Sequence, residues 1–521
     1  MPSTSAPMHN FIVISLAYCS LTFTDGALRT IVLLHCTTLG FSPLEIAAMF
    51  MLYEFAGIFT NLLGGILASR QGLKKVGCLG LFLMAVSVLL VAPVQSLFGT
   101  STASTDHTND NLAAGSLKST AMAHVRFNYM VYIFFVQGLA GVGKDLMKIS
   151  GKSITKLVNK KGDNGSLFTM VVYVTGAKNT IKGVGTFMGG VVLLMGYWQG
   201  AVLISIFVMI PLPLMLYYVD SDLGVVAAVL RKPGEKDTGP PRFRDAFANI
   251  SYNVGVLSGA RFWLFGARDV WFEIAFPVFL KTMVLWPDSA VSAAMGAYII
   301  MYGLLQTNSP RLCLKPLKCS PPTSSSVAPW TIGLCVLCAI SGFVFLGVHG
   351  VDHGDTNALR QSSNATANST VVRVVDTSTL MHRITNDNAL WWTISILTPI
   401  VSIVFAIFMA VLSSIHSYLI VLYSGRNKVA KDVGFYYMSN AGGRLIGTLF
   451  SGILCEYTGK TWGLIIPLWV SCLFLLVSCG LSVYLKPHKV VVEQETNAIM
   501  NNNELKQGEA KDEGTQEDLY F

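Results

Sequence analysis

Apolar stretches of about twenty residues, long enough to cross a bilayer as a helix, recur along the whole 521-residue chain. Hydrophobic residues make up 52% of the sequence and charged residues only 13%. The charged fraction is about half that of a typical soluble domain. A water-soluble fold could not bury so many long apolar segments. The sequence therefore predicts an all-α polytopic membrane protein.

Twelve of these stretches are predicted to be transmembrane helices. The first has no preceding basic cluster and no small-residue cleavage site, so we interpret it as a retained helix rather than a signal peptide. The spans lie near residues 11–37, 43–69, 76–98, 125–143, 166–192, 196–219, 256–280, 290–308, 329–349, 390–413, 432–453 and 462–485.

The distribution of Lys and Arg predicts the orientation of these spans. With the N-terminus in the cytosol, the cytosolic loops hold about twenty basic residues and the external loops roughly six, the bias expected for cytosolic loops. The loop 350–389 is then external, and sequons at Asn364 and Asn368 predict glycosylation there. We expect both termini in the cytosol and the protein in the plasma membrane. The net charge of +8 follows from these loops and requires no nucleic-acid partner.

An internal repeat predicts two related halves. Span 5 reads "KGVGTFMGG" from Lys182, and span 11 reads "RLIGTLFSG" from Arg444. A shared pattern in spans five and eleven of twelve is typical of major facilitator transporters, whose substrate site lies between two six-helix bundles. The predicted divisions are an N-terminal bundle at 1–219 with an external insert at 100–123, a cytosolic linker at 220–255, a C-terminal bundle at 256–485 with an external insert at 350–389, and a tail at 486–521. The insert 100–123 and the tail are polar and expected to be disordered.

Ionisable residues interrupt several spans. A charge at the bilayer centre costs about 2.5–3.5 kcal/mol, so these side chains are expected to face an internal cavity. Cations outnumber carboxylates, and guanidinium and ammonium groups bind oxyanions, so we predict an anionic substrate. The predicted substrate-binding residues are Arg29, Lys178, Asn179, Lys182, Arg261, Arg268, Asn440 and Arg444. The predicted proton-coupling or gating residues are Asp25, Glu54, Asp269, Glu273 and Arg70.

Spacing along the helices suggests how these groups interact. Asp25 and Arg29 are four residues apart and could form a pair on one helical face. Lys178 and Lys182 have the same spacing and would repel each other unless an anion lay between them. Any of these residues could instead form a purely structural ion pair.

A basic segment at the cytosolic end of span 4 has two interpretations. It contains Lys144, Asp145, Lys148, Lys152 and Lys156. These residues could anchor the helix at lipid headgroups, as is common at the ends of spans. They could equally recruit an anionic substrate.

Catalysis has no support in the sequence. Cys335 and Cys338 form a C-x-x-C inside an apolar run, which we interpret as packing rather than metal binding. We find no nucleophile motif, phosphate-cradling loop or metal-ligand cluster, and predict no enzyme, no cofactor and no metal. The expected partners are a small anionic substrate, protons and the lipid bilayer, with the chain acting as a monomer.

Long charged segments resemble the organoarsenical efflux permeases (ArsJ type) of the major facilitator superfamily. The resemblance rests on "TDGALR", "GFSPLEIA", "YEFAGIFTNLLGG", "GKDLMKISGKSITK", "TGAKNTIKGVGTFMGG", "ARFWLFGARDVWFEIAFPVFL" and "GFYYMSNAGGRLIGTLFSG". The loop from Gly65 to Lys75 also resembles the facilitator loop motif, with Ser69 where an Asp is usual. The chain departs from the family in its inserts 100–123, 312–328 and 350–389 and in its long tail.

The resemblance implies export of 1-arseno-3-phosphoglycerate. We expect the protein to work by alternating access, with proton antiport as the energy source and facilitated export as a weaker version. Two alternatives remain open. One is a carrier for another organic phosphate or carboxylate, and the other is a non-transporting receptor with the same fold.

Overall fold

The computed structural model describes residues 8–98, 112–158, 164–221, 223, 250–320, 322–350, 388–424 and 429–487, and all regular structure within these residues is helical. We number the long helices α1 to α12. They are α1 Met8–Thr38, α2 Pro43–Gln71, α3 Leu73–Val91, α4 Leu112–Val158, α5 Asn164–Leu193, α6a Tyr197–Met209, α6b Pro211–Tyr218, α7a Tyr252–Phe272, α7b Ala275–Thr282, α8 Asp288–Ser309, α9 Val327–Gly350, α10 Asn388–Tyr423, α11 Val429–Trp462 and α12 Ile465–Val483. Shorter helical turns lie at Val94–Phe98, Pro310–Leu314 and Ser324–Ser326.

Local sequence explains where several helices begin and break. α2 starts with a capping box: Ser42 Oγ accepts from the Glu45 backbone N–H, and the Ser42 N–H donates to the Glu45 carboxylate. Proline follows at position 43, where its missing N–H costs nothing. α7 breaks after Phe272 because the ring of Pro277 clashes with the carbonyl four residues earlier, at Glu273. The break places Glu273 at a bend.

The predicted membrane fold is confirmed. Among the described residues, nine helices are long and apolar enough to cross a membrane. The long helices α5, α7 and α11 fall short of that standard. These three helices carry charged residues that the sequence predicted to face the cavity. Those residues lower the mean hydropathy of the helices, which still belong to the membrane-spanning bundle.

α4 is far longer than predicted. It runs from Leu112 to Val158, whereas the sequence predicted a span near 125–143. The prediction of a disordered insert at 100–123 is therefore wrong for residues 112–123, where Leu, Ala, Met and Lys favour a helix. The basic segment after residue 143, predicted as a loop, also continues the helix.

Other predictions fall outside the described residues. These are the sequons at Asn364 and Asn368, most of the linker 220–255 and the tail beyond residue 487. The predicted domain boundaries accordingly stay predictions.

The helices form two six-helix halves with the same packing pattern. In the first half α1 packs on α5 and α6, and α4 packs on α2 and α3. In the second half α7 packs on α11 and α12, and α10 packs on α8 and α9. The halves meet where α2 packs along α11 and α5 packs along α8. These two contacts form the walls of a central cavity.

Candidate functional site

A cavity of about 170 Å³ lies between the two halves. Side chains from α1, α2, α4, α5, α7, α8, α10 and α11 line it. All eight predicted substrate-binding residues lie on its wall: Arg29, Lys178, Asn179, Lys182, Arg261, Arg268, Asn440 and Arg444. Whether they bind substrate stays a prediction.

The break in α7 shapes one side of this cavity. Arg261 and Arg268 lie seven residues apart on α7a, about two turns, and both line the cavity. Glu273 follows at the break and also faces it. The backbone N–H groups of Ile274 and Ala275, freed by the break, both donate to Ser451 Oγ on α11. These two backbone N–H groups at the bend therefore have a hydrogen-bond partner within the protein.

Each half contains an equivalent buried ion pair. In the first half, Lys182 on α5 donates to Asp25 on α1 at 2.7 Å. In the second half, Arg444 on α11 donates to Asp269 on α7a at 2.8 Å. Lys182 and Arg444 are the cations of the internal repeat, so the repeat positions a cation against the first helix of its own half.

Further ion pairs connect the two halves. Arg29 pairs with Glu273 of the second half, and Glu54 on α2 pairs with Arg444 at 2.9 Å. Arg29 also donates to Glu54 at 3.0 Å. The Lys182–Asp25 pair adjoins Arg29 through Tyr53, whose hydroxyl donates to Asp25 and whose ring centroid lies 4.3 Å from the Arg29 guanidinium carbon. Together with this link and the contact between Arg268 and Asp269 at 2.5 Å, these pairs form one connected set. We call it the central network; it comprises Asp25, Arg29, Glu54, Lys182, Arg268, Asp269, Glu273 and Arg444.

The central network has equal numbers of cations and carboxylates. Asp25 and Glu273 line the cavity, whereas Glu54 and Asp269 are almost fully buried behind its wall. The predicted pairing of Asp25 with Arg29 is wrong, because each binds residues on other helices instead. Asp25 accepts from the Tyr53 hydroxyl and Lys182, and Arg29 pairs with two glutamates. Partners on other helices are favoured because the packing of neighbouring helices buries these charged groups together, and each then needs an opposite charge.

Arg261 lies outside the central network and has neutral partners. It donates to Asn440 Oδ1 at 3.0 Å and to Ser413 Oγ at 3.3 Å. Ser413 in turn accepts from Gln306 at 3.4 Å, and Gln306 accepts from Asn179 at 2.6 Å. The sequence prediction missed Ser413 and Gln306. A glutamine inside an otherwise apolar span was the available signal for Gln306, and Ser413 had none.

Three lysines line the side of the cavity formed by α4 and α5. The Lys144 ammonium lies over the Tyr53 ring, 3.8 Å from its centroid. Lys148 donates to the buried Asp145 at 2.5 Å. Lys178 has no carboxylate within 4 Å among the described residues. Lys144 and Lys148 thus belong to the cavity wall, which favours the recruitment interpretation over lipid anchoring.

The cavity carries an excess of positive charge. Within the described part of the chain, eight cations line it: Arg29, Lys144, Lys148, Lys178, Lys182, Arg261, Arg268 and Arg444. Five carboxylates line it or pair with its lining: Asp25, Glu54, Asp145, Asp269 and Glu273. The difference is three positive charges. The Arg70 side chain lies outside what is described, so its predicted gating role stays a prediction.

Comparisons with known proteins find a similar fold but no matching sequence. No protein-family model matches the sequence, and no curated protein matches it either. The structure is similar to two structures of a bacterial homologue of the iron transporter ferroportin in its outward-facing state, one of them soaked with iron. The iron-soaked structure has a TM-score of 0.53 and 13% identity, and the other has 0.55 and 12%. Both alignments cover 91% of this chain and 98% of the other. The chain is therefore a multi-pass membrane protein with the major facilitator fold.

Proposed function

We propose that this protein transports an anionic metabolite by alternating access. The excess of three cations in a cavity between two related halves carries the proposal. Uncompensated charges inside a membrane protein are costly, and a bound anion would neutralise them. A bare divalent cation, such as the iron soaked into one of the similar structures, would be repelled by this excess of positive charge.

The central network supplies a mechanism for the movement of the halves. Two ion pairs join one half to the other: Arg29 with Glu273, and Glu54 with Arg444. Rocking of the halves must separate these pairs, which frees Arg29 and Arg444 to contact the anion. In the empty cavity the paired carboxylates replace the substrate, so the halves can close without exposing unpaired charges. We assign Glu54 and Glu273 to this gating role, whereas Asp25 and Asp269 hold Lys182 and Arg444 within their own halves.

The specific substrate that we propose is 1-arseno-3-phosphoglycerate, exported from the cell. The proposal is supported by the resemblance of the charged segments to organoarsenical permeases and by the anion-favouring cavity. Another organic phosphate or carboxylate would satisfy the same charges and is the alternative. Proton antiport is the proposed energy source. An inside-negative potential alone also drives a cytosolic anion outward, by about 2.3 kcal/mol per charge per 100 mV.

Arsenic efflux from an arsenic-hypersensitive cell tests this function. The protein is expressed with and without a glyceraldehyde-phosphate dehydrogenase that forms the adduct, and cellular arsenic is measured after arsenate loading. We expect efflux only with the dehydrogenase. Lys178→Gln and Arg261→Gln should each lower the efflux at least about tenfold, because each removes a charge-assisted contact of about 1.5–3 kcal/mol.

The matched control is Lys315→Gln, at an exposed lysine outside the cavity. It should leave efflux unchanged, and surface expression of every variant is measured in parallel. Unchanged cellular arsenic despite surface expression would exclude the organoarsenical and direct the search to other anions. Full efflux in both cavity variants would contradict their assignment to the site.

A further inference from the structure

The positive charge of the cavity is unevenly distributed. The central network is balanced, with four cations and four carboxylates. Arg261 contributes one charge, held by the neutral groups of Asn440 and Ser413. The remaining excess comes from Lys144, Lys148 and Lys178, for which Asp145 is the only paired carboxylate among the residues that the structure describes. This lysine cluster carries two uncompensated charges.

The three ammonium groups act on one another. Lys148 lies within electrostatic range of Lys144, and Lys178 lies within range of Lys148 and Lys182. Asp25 is also in range of Lys178 and Lys144, although neither lysine forms an ion pair with it among the described residues. Asp145 is almost fully buried and holds Lys148 from behind the wall. Lys144 is held over the Tyr53 ring, an arrangement that orients an ammonium without neutralising it. Packing thus fixes like charges beside each other.

We infer that Lys144, Lys148 and Lys178 form a subsite for a dianionic, phosphate-type group. Two uncompensated charges match one phosphate monoester, which carries about −1.5 to −2 at neutral pH. Lysines bind phosphate as point charges, whereas Arg261 offers the planar fork that suits a carboxylate. The inference rests on the proposed function only in placing the phosphate group of the transported metabolite in this cluster.

The wall around the cluster supplies neutral groups for the remaining oxygen atoms. Tyr18 and Thr22 on α1 and Thr175 on α5 line the same cavity. Tyr437 lies beneath the Lys148 ammonium, 5.0 Å from ring centroid to nitrogen. The Tyr18 hydroxyl can donate to a phosphate oxygen without adding charge. The Thr22 and Thr175 hydroxyls donate to the carbonyls of Tyr18 and Val171, so they would have to rotate to do the same.

Equilibrium binding of radiolabelled inorganic phosphate to the purified full-length chain tests the subsite. The wild type should bind phosphate. Lys144→Gln, Lys148→Gln and Lys178→Gln should each weaken binding about tenfold, since each removes one charged contact. The exposed control Lys315→Gln should stay within about threefold of the wild type. Lys178→Arg, which retains the charge, should keep most of the affinity.

Thermal unfolding separates a lost subsite from a damaged fold. Without phosphate, Lys178→Gln should melt no lower than the wild type, because it removes an uncompensated cation. Phosphate should raise the melting temperature of the wild type but not of this variant. Lysine variants that bind phosphate as the wild type does, or a wild type that binds none, would overturn the subsite. Phosphate binding lost in the lysine variants while no cargo is transported would uphold the subsite and overturn the transport function.

Discussion

Asp25 is a buried carboxylate, and its substitution measures how much its ion pair contributes to the stability of the protein. It pairs with Lys182 at 2.7 Å and accepts a hydrogen bond from Tyr53. Removing one partner of a buried pair costs about 3–5 kcal/mol because the other charge is left unpaired. Lys182 is partly exposed to the cavity, so we expect the lower end of that range for Asp25→Asn.

The double substitution Asp25→Asn with Lys182→Met should recover most of the lost stability. It removes both charges, so neither is left uncompensated. Melting temperatures of the purified wild type, both single variants and the double variant measure this. A double variant that melts at the sum of the two single losses would show that the pair is not coupled. Transport should be lost in all three variants, so stability is the informative quantity.

At the scale of helices, α5 and α8 approach closely enough that one methyl group should disturb the contact between the halves. A Cβ added at Gly183 would lie 2.5 Å from the Ile300 backbone nitrogen and 2.9 Å from the Gly296 carbonyl oxygen. Backbone atoms cannot move aside as a flexible side chain can. We expect Gly183→Ala to destabilise the protein by about 1–3 kcal/mol and to lower transport.

Gly480 on α12 provides the matched control for this prediction. A Cβ there would meet no atom within 4 Å. Gly480→Ala should therefore be neutral or stabilise the helix by up to about 1 kcal/mol, the difference in helix propensity. Thermal unfolding of both purified variants compares them. Equal melting temperatures would mean that the α5–α8 contact relaxes at little cost.

At the scale of the whole molecule, the sequence predicted the spans because length and apolarity are local properties. It predicted two halves because the pattern at Lys182 recurs at Arg444. It also predicted which charged residues share a cavity, since ionisable groups avoid lipid. It could not predict their partners. Spacing on α1 favoured Asp25 with Arg29, whereas the structure pairs them with α5, α2 and α7. Gln306 and Ser413 escaped notice because uncharged polar groups are ordinary in spans.

Lys281 forms a tie between the halves near the Leu33 end of the cavity. Lys281 on α7b donates to the Leu34 carbonyl at 2.8 Å and to Thr38 Oγ1 at 2.6 Å, both at the end of α1. It also pairs with Asp288 at 2.5 Å. The predicted topology puts this end outside the cell. We therefore expect Lys281→Ala to make the cavity more accessible from the external side.

Labelling of introduced cysteines with a membrane-impermeant maleimide, added to intact cells, measures this access. Leu33→Cys lies on the cavity wall near the tie, and Ser417→Cys lies on the wall toward the opposite end. When each cysteine variant also carries Lys281→Ala, the labelling rate at position 33 should rise several-fold. The labelling rate at position 417 should change less because this position is farther from the opened end. The chain with only its native cysteines provides the background. An unchanged rate at position 33 would show that other contacts close this end, and that Lys281 only fixes the position of α7b against α1.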